Sequence, residues 1–335
     1  MINKNSQLST LIENMEQALQ EATTQEQVHA VAKMAADFGE PIVYDNASYY
    51  FTALALFAAV GIGYISTASP WYFLLAIPCI IVIALPLTRS SNIKKLMNAI
   101  YLQDAMLDNG LTKGVAPTVN DAIRSFSEFS RGNHTRYFTC YYNGSYSGRD
   151  HSFDFDAYCY HYVDKKRVTY PVRDRNGKIA FKTRTDFTHH DRYGIIVPGF
   201  VFIRNLQVLD YGVPEHYKHR YKPSSIAFNK LFKVYAEDEM EAARVLKPSV
   251  VIAFEELGRH MYGLNIDFNK HGELCLSFSD SDMLKAQPSV SVENPVCFYE
   301  TLLKHTDFHK MNASLEFIHE LMRHTDSNFK NTKEQ

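Results

Sequence analysis

Three consecutive side chains, His189-His190-Asp191, are of the types that hold metal ions or move protons. Asp154 and Asp156, two apart in "SFDFDAYCYHYV", add carboxylates that could bind Mg²⁺ or act as acid and base. If these five groups converged in space, the chain would have the makings of a hydrolase. Metal-dependent phosphohydrolases carry their His-Asp pair on a helix, with further ligands from other helices. Here the pair lies between strand-like segments, beside Arg192, and reads as an exposed polar turn. Neighbouring residues of a strand also point to opposite faces. His305 and His309, four apart on an expected helix, would share a face, but they lack the glutamate of an HExxH zinc motif. No GxSxG, P-loop, strand-borne GxGxxG or local Cys–His pair occurs. No cofactor or metal is expected, and the five residues stand as catalytic candidates only in an alternative reading as a hydrolase.

The cysteines, Cys79, Cys140, Cys159, Cys275 and Cys297, are odd in number and form no CxxC pair. Reduced thiols in a cytosolic compartment fit this better than a disulfide framework or a zinc ribbon. Cys140 and Cys159 fall in apolar-aromatic strand patterns, where inert thiols are the rule.

The elements that would have to position these residues begin with an uncharged tract. No Asp, Glu, Lys or Arg occurs between Asp45 and Arg89, about twice the ~20 residues of one membrane-spanning helix. Small and turn-forming residues from Gly61 to Pro70 divide it into Tyr49–Ala68 and Trp71–Leu87, with Tyr49, Tyr50, Tyr64, Trp71 and Tyr72 near the ends. Arg89, Lys94 and Lys95 follow directly, so the positive-inside rule puts both termini in the cytoplasm. The acidic, amphipathic N-terminus is not a signal peptide. The net charge of −2 is uneven, about −5 from Met1 to Ser48 and about +3 after it, and gives no pull toward nucleic acid.

Leu8, Leu11, Ile12, Met15 and Leu19 predict one amphipathic helix. Thr24-Gln25-Glu26-Gln27 reads as a capping box for a second, with Val28, Val31, Ala32, Ala35 and Phe38 as its apolar stripe. Ile93, Leu96, Met97 and Ile100 predict a juxtamembrane helix. From Arg136 to Leu209 the period becomes two. "SFDFDAYCYHYV", "RVTYPV", "KIAFKTR", "YGIIVPGFVFI" and "LQVLDY" read as strands joined at Asn143-Gly144 and Arg175-Asn176-Gly177. "AFNKLFKVYAEDEMEAARVLKPSVVIAFEEL" reads strand, helix, helix, with Ser249 a candidate cap. "LNIDF" and "ELCLSF" form a hairpin, Asn294-Pro295 opens a helix, and Asn312 caps another. The 21 tyrosines, many alternating with polar residues, suit peptide or protein binding where exposed.

The expected architecture is α+β: residues 1–48 a helical region, 49–88 a two-helix transmembrane hairpin, 89–117 a juxtamembrane helix and linker, 118–285 a cytosolic antiparallel β-rich domain with flanking helices, and 286–335 a helical tail. The block Phe228-Asn229-Lys230-Leu231-Phe232-Lys233-Val234-Tyr235-Ala236-Glu237-Asp238, followed by Glu241-Ala242-Ala243-Arg244-Val245-Leu246-Lys247-Pro248, resembles an uncharacterised bacterial membrane-protein family, domain of unknown function 3137. That family's pattern follows two membrane helices and a β-rich segment. Ala236 replaces its usual Ser and Lys247 its usual Thr. The resemblance implies a bacterial inner-membrane protein and, as a partner, a LemA-family membrane protein; no activity comes with it. With no intramembrane charge to suggest transport, the expected function is a membrane-anchored interaction or regulatory module, non-enzymatic. Its partners would be the bilayer, a membrane protein and, through Gly61 and Gly63, a second copy, with no nucleic acid.

Overall fold

The computed structural model describes residues 4–67, 76–173, 179–200, 203–212, 217, 219–286, 288, 290 and 294–325. They are a mixture of helices and one antiparallel sheet, an α+β fold. The chain divides into two units, Met1–Asn109 with Ala286–Asp307, and Gly110–Lys285 with Phe308–Gln335.

The first unit is helical. Leu8, Met15 and Leu19 are buried on one face of α1 (Lys4–Glu21), as their spacing predicts. Thr24 caps α2 (Gln25–Asp37) with the full reciprocal capping box, satisfying two backbone N–H groups that the first turn leaves unbonded. The stripes of both helices pack with Ile93, Leu96, Met97 and Ile100, and with Phe298 and Leu302 of α9 (Pro295–Leu302). Asn294 caps α9, with Pro295 in its first turn.

The uncharged tract gives α3 (Ala47–Thr67) and the start of α4 (Ala76–Asp108), and these two helices pack together. Ala53 and Val60, seven residues apart, are buried positions of α3. Phe51, Leu54, Phe57, Ile62 and Ile65 are exposed. α4 does not stop at the end of the apolar tract. It continues through Pro86, and the expected juxtamembrane helix is its second half. Proline removes one intrahelical bond, and nearby the Thr88 hydroxyl donates to the Leu85 carbonyl at 2.9 Å. The junction with Ser69, Pro70, Trp71 and Tyr72 lies outside the described residues.

The second unit is built on a nine-stranded sheet, ordered β1-β2-β3-β4-β9-β8-β5-β7-β6. Its strands are β1 (Thr112–Lys113), β2 (Arg136–Ser147), β3 (Ser152–Arg173), β4 (Ile179–Val197), β5 (Leu206–Leu209), β6 (His219–Tyr221), β7 (Lys233–Ala236), β8 (Asn265–Phe268) and β9 (Leu274–Phe278). Segments expected as separate strands merge. "RVTYPV" is the outer half of β3, and "IAFKTR" and "YGIIV" are the two ends of β4. Asn143-Gly144 is not a turn but lies inside β2, opposite Asp156 and Phe155. A side chain at Gly144 would meet the Phe155 ring at 2.6 Å, so glycine here admits a neighbour rather than a reversal. The expected turn Arg175-Asn176-Gly177 lies outside the described residues.

Helices α5 (Val119–Ser125), α6 (Ile226–Leu231), α7 (Glu239–Val245), α8 (Pro248–His260) and α10 (His309–Thr325) accompany the sheet. "AFNKL" was expected as strand and is the short helix α6, capped by Ser225. Phe228 within it and Phe232 at its C-cap bury against Phe254 of α8, and this tertiary packing decides the local form. Lys247, not Ser249, occupies the cap position of α8. Asn312 lies inside α10, not before it. Tyr158, Tyr160 and Tyr162 are buried with Ala122, Phe126 and Phe129, so these three tyrosines of β3 complete a core, whereas Tyr170 further along the strand is exposed.

Candidate functional site

β3 and β4 carry the five sequence candidates, and their register decides which of them meet. His161 stands opposite Asp191 and Val163 opposite His189, which puts His161, His189 and Asp191 on one face. Tyr162 stands opposite His190, on the other face. His189-His190-Asp191 is therefore mid-strand, not an exposed turn, and alternation separates its middle member from the other two. Asp154 and Asp156 pair with Ser145 and Asn143 of β2. They share the face of His190 but lie six or more residues further along β3, about 20 Å at strand rise. The five groups do not converge.

What does assemble is a relay centred on His161. Its Nδ1 is 2.7 Å from Asp191 Oδ1, and its Nε2 is 3.1 Å from His189 Nδ1. A carboxylate can only accept, so Nδ1–H donates to Asp191; when the His161 ring is neutral, Nε2 accepts from His189 Nδ1–H. Tyr137 packs on the His161 ring at 4.9 Å. Both imidazole nitrogens of His161 are thus engaged. Among the described residues no group of three or more His, Cys, Asp or Glu side chains is arranged to hold a metal ion.

The remaining candidates have structural partners. His190 lies flat on Tyr162, 4.9 Å between ring centres, with Nε2 3.4 Å from Asp164 Oδ2. Asp156 accepts from the Tyr141 hydroxyl at 2.8 Å and from the Asn143 amide. Burial and that bond push the Tyr141 phenol well above its ordinary value. Asp154 is exposed. His305 falls between α9 and α10, hydrogen-bonded to Asp307 at 3.0 Å, and so shares no helix face with His309.

Two arrangements escaped the sequence reading. A β-bulge after Phe138 brings Cys140 opposite Cys159. A hydrogen bond from Cys140 lowers the Cys159 thiol to about 7, while the same bond and burial raise Cys140. Alternation along β2 hides this pair, because the bulge shifts the count by one.

The second is a buried ionic network. Glu128 lies in a 3-10 turn (Ser127–Ser130), and Arg192 stands on the tyrosine face of β4, fully buried. Arg192 Nε donates to Glu128 Oε1 at 2.6 Å, and its other nitrogens reach Ser279 and Ser277 at 2.7 and 3.0 Å. Arg131 binds the same carboxylate through two nitrogens, at 2.7 and 3.0 Å, and Asn265 donates to it at 3.0 Å. Burial alone would push the Glu128 carboxyl up. The Arg192 and Arg131 guanidiniums overcome that and hold it at about 2. The i, i+3 spacing of Glu128 and Arg131 is readable in sequence, as is Arg192 on the apolar side of the alternation; their meeting across 64 positions is not. A cavity of about 280 Å³ opens beside the network, lined by Arg131, Asp210, Tyr211, Lys233 and Tyr235 among others. Since both guanidiniums are committed to Glu128, the arrangement joins the 3-10 turn, β4, β8 and β9; it supplies no acid, base or nucleophile.

No curated protein and no solved structure matches the chain. Residues 192–323 match the family model described as "Protein of unknown function (DUF3137)". The match runs from the buried arginine of β4 to the last turn of α10 and contains the whole Phe228–Pro248 block. That stretch of the chain is accordingly similar to this uncharacterised family.

Proposed function

We propose that the protein is a membrane-anchored interaction module of the bacterial inner membrane. In this reading α3 and the apolar start of α4 cross the bilayer as an antiparallel hairpin, both termini lie in the cytoplasm, and the sheet-bearing unit makes contacts rather than bonds. The observation that carries it is the exposure of α3. Ala47–Ile65 is long and apolar enough to span a bilayer, and only 6% of it is buried. A core helix of that composition would be covered by protein. Ile77, Ile80, Ile81, Leu85 and Leu87 of α4 are exposed in the same way.

The flank of α4 fits a hairpin whose two ends lie at one interface. Arg89 lies over the rings of Tyr44 and Tyr49 at 5.0 and 5.1 Å, which sets the first turn of α3 level with the first charge after the apolar tract. Cation and aromatic at one level are what a headgroup interface favours. A LemA-family membrane protein is the partner that the family resemblance implies.

Alkaline phosphatase fused after Gln335 should be inactive, and the same reporter inserted at Ser69 active. Activity after Gln335 would refute the orientation, and release of the chain from membranes by alkaline carbonate would refute the anchor. A co-expressed LemA-family protein that fails to copurify in mild detergent removes that partner.

A further inference from the structure

Past Tyr162 and Tyr193, β3 and β4 leave the sheet. β2 pairs with β3 only as far as Tyr162, and β9 pairs with β4 only as far as Tyr193. From Asp164↔Thr188 to Arg173↔Ile179 the two strands form ladder pairs only with each other. Ten pairs at strand rise make a ribbon about 33 Å long. A two-stranded ribbon with both faces in water is only marginally stable by itself, so a binding surface on it has to be sought in its side chains.

The register sorts those side chains unequally. One face carries Lys165, Arg167 and Arg173 interleaved with Phe187, Phe181 and Ile179. Phe181 and Ile179 are 72% and 64% exposed, Phe187 is 49% exposed, and no carboxylate stands on this face between Val163 and Arg173 or between Ile179 and His189. Lys165 Nζ lies 5.8 Å above the Phe187 ring. The other face holds both acids of the ribbon, Asp164 and Asp186, together with the cations Lys166, Lys182 and Arg184. Asp186 takes Arg184 at 3.0 Å, and Asp164 lies 3.4 Å from His190. One face thus mixes three cations with two carboxylates, whereas its opposite presents three cations and no carboxylate around the exposed Phe181 and Ile179, with Phe187 against the His134 ring.

We infer that the Lys165–Arg167–Arg173 face of the β3–β4 ribbon docks on an anionic phospholipid surface. Cations near such a surface are attracted to its headgroups, and aromatic and aliphatic side chains between them can enter the interfacial layer. Thr169, Thr183 and Thr185 on this face have hydroxyls that can reach a base edge, but the exposed side chains around Arg173 (Phe181, Ile179 and Pro171) are apolar and suit the interfacial layer better. The inference rests on the proposed anchoring only in that α3 would keep lipid at hand.

The test uses the full chain with Trp71→Phe and Phe181→Trp, making the ribbon the sole tryptophan reporter, and brominated-lipid vesicles. One set is phosphatidylcholine, and the other is roughly one third phosphatidylglycerol. Quenching is expected in the anionic set, reversed by high salt as screening demands. The triple change Lys165→Glu, Arg167→Glu, Arg173→Glu should lower the bound-to-free ratio of the ribbon on the order of 100-fold. An unchanged far-ultraviolet spectrum establishes that this variant folds. Equal quenching in both sets, or none in the anionic set, overturns the inference. A shift of duplex DNA by the chain in detergent, lost in the triple variant and unaccompanied by lipid quenching, assigns the face to nucleic acid instead. Flotation of the chain with both vesicle types reports α3 alone. Failure of the anchor therefore appears as lost flotation with phosphatidylcholine, and failure of the ribbon as lost quenching.

Discussion

At the scale of single residues, Glu128 is the side chain on which most depends. It is one carboxylate shared by two guanidiniums and an amide in a buried place. Glu128→Gln keeps the shape and removes the charge, leaving Arg192 and Arg131 without a counter-ion. Breaking one partner of a buried pair costs about 3–5 kcal/mol, so denaturant unfolding of the second unit should shift by that amount. The double change Glu128→Leu, Arg192→Met should recover part of the loss, because it removes the fully buried cation as well. If Glu128→Gln unfolds like the parent, the network is not what holds the 3-10 turn to β4. His161 is the contrasting case: it joins Asp191 and His189, yet nothing in its own spacing marked it, since its partners lie 28 and 30 positions away.

At the scale of elements, β4 is the strand that joins the two halves of the sheet, and Gly194 is where it fits. Gly194 lies between Tyr158 of β3 and Ser277 of β9. A Cβ there would stand 2.2 Å from the Leu276 carbonyl oxygen and 2.5 Å from the Tyr158 hydroxyl oxygen. The obstacle on one side is backbone, so Gly194→Ala should destabilise by about 1–3 kcal/mol, read as a lowered unfolding midpoint. Elements with strong local signals were legible in sequence: the capping box of α2, the apolar faces of α1 and α2, and the alternation of β3. What could not be read was set by distant partners. α6 is helical because Phe228 and Phe232 meet Phe254, and His189-His190-Asp191 is strand because β3 pairs beside it for its whole length. The ribbon's cations looked scattered among acids along the sequence; only the register sorts them by face.

At the scale of the whole molecule, the two units should answer pH in opposite directions. Glu128 is held at about 2, below the ordinary 4.5, so its contribution to the sheet-bearing unit is full above pH 4.5 and is lost as pH falls toward 2. Asp104 of α4 is fully buried, 2.9 Å from His29. Burial raises it from 3.8 to about 6 against the pull of that histidine. Stability that depends on its protonation is full below pH 3.8 and is lost as pH rises through 6. The shift corresponds to about 3 kcal/mol. Asp104→Asn should therefore stabilise the helical unit at pH 7.5 and leave it nearly unchanged at pH 4, as measured by thermal melts in detergent. Equal effects at both pH values would place the origin elsewhere. The family match starts at Arg192, whereas the carboxylate that neutralises it arrives from Glu128, outside the matched stretch. The buried cation depends on that carboxylate. A relative that keeps this arginine but loses the preceding segment would need a substitute anion, and a gene fragment trimmed to the matched boundaries would express a chain with an uncompensated cation and an open β4 edge, prone to aggregate.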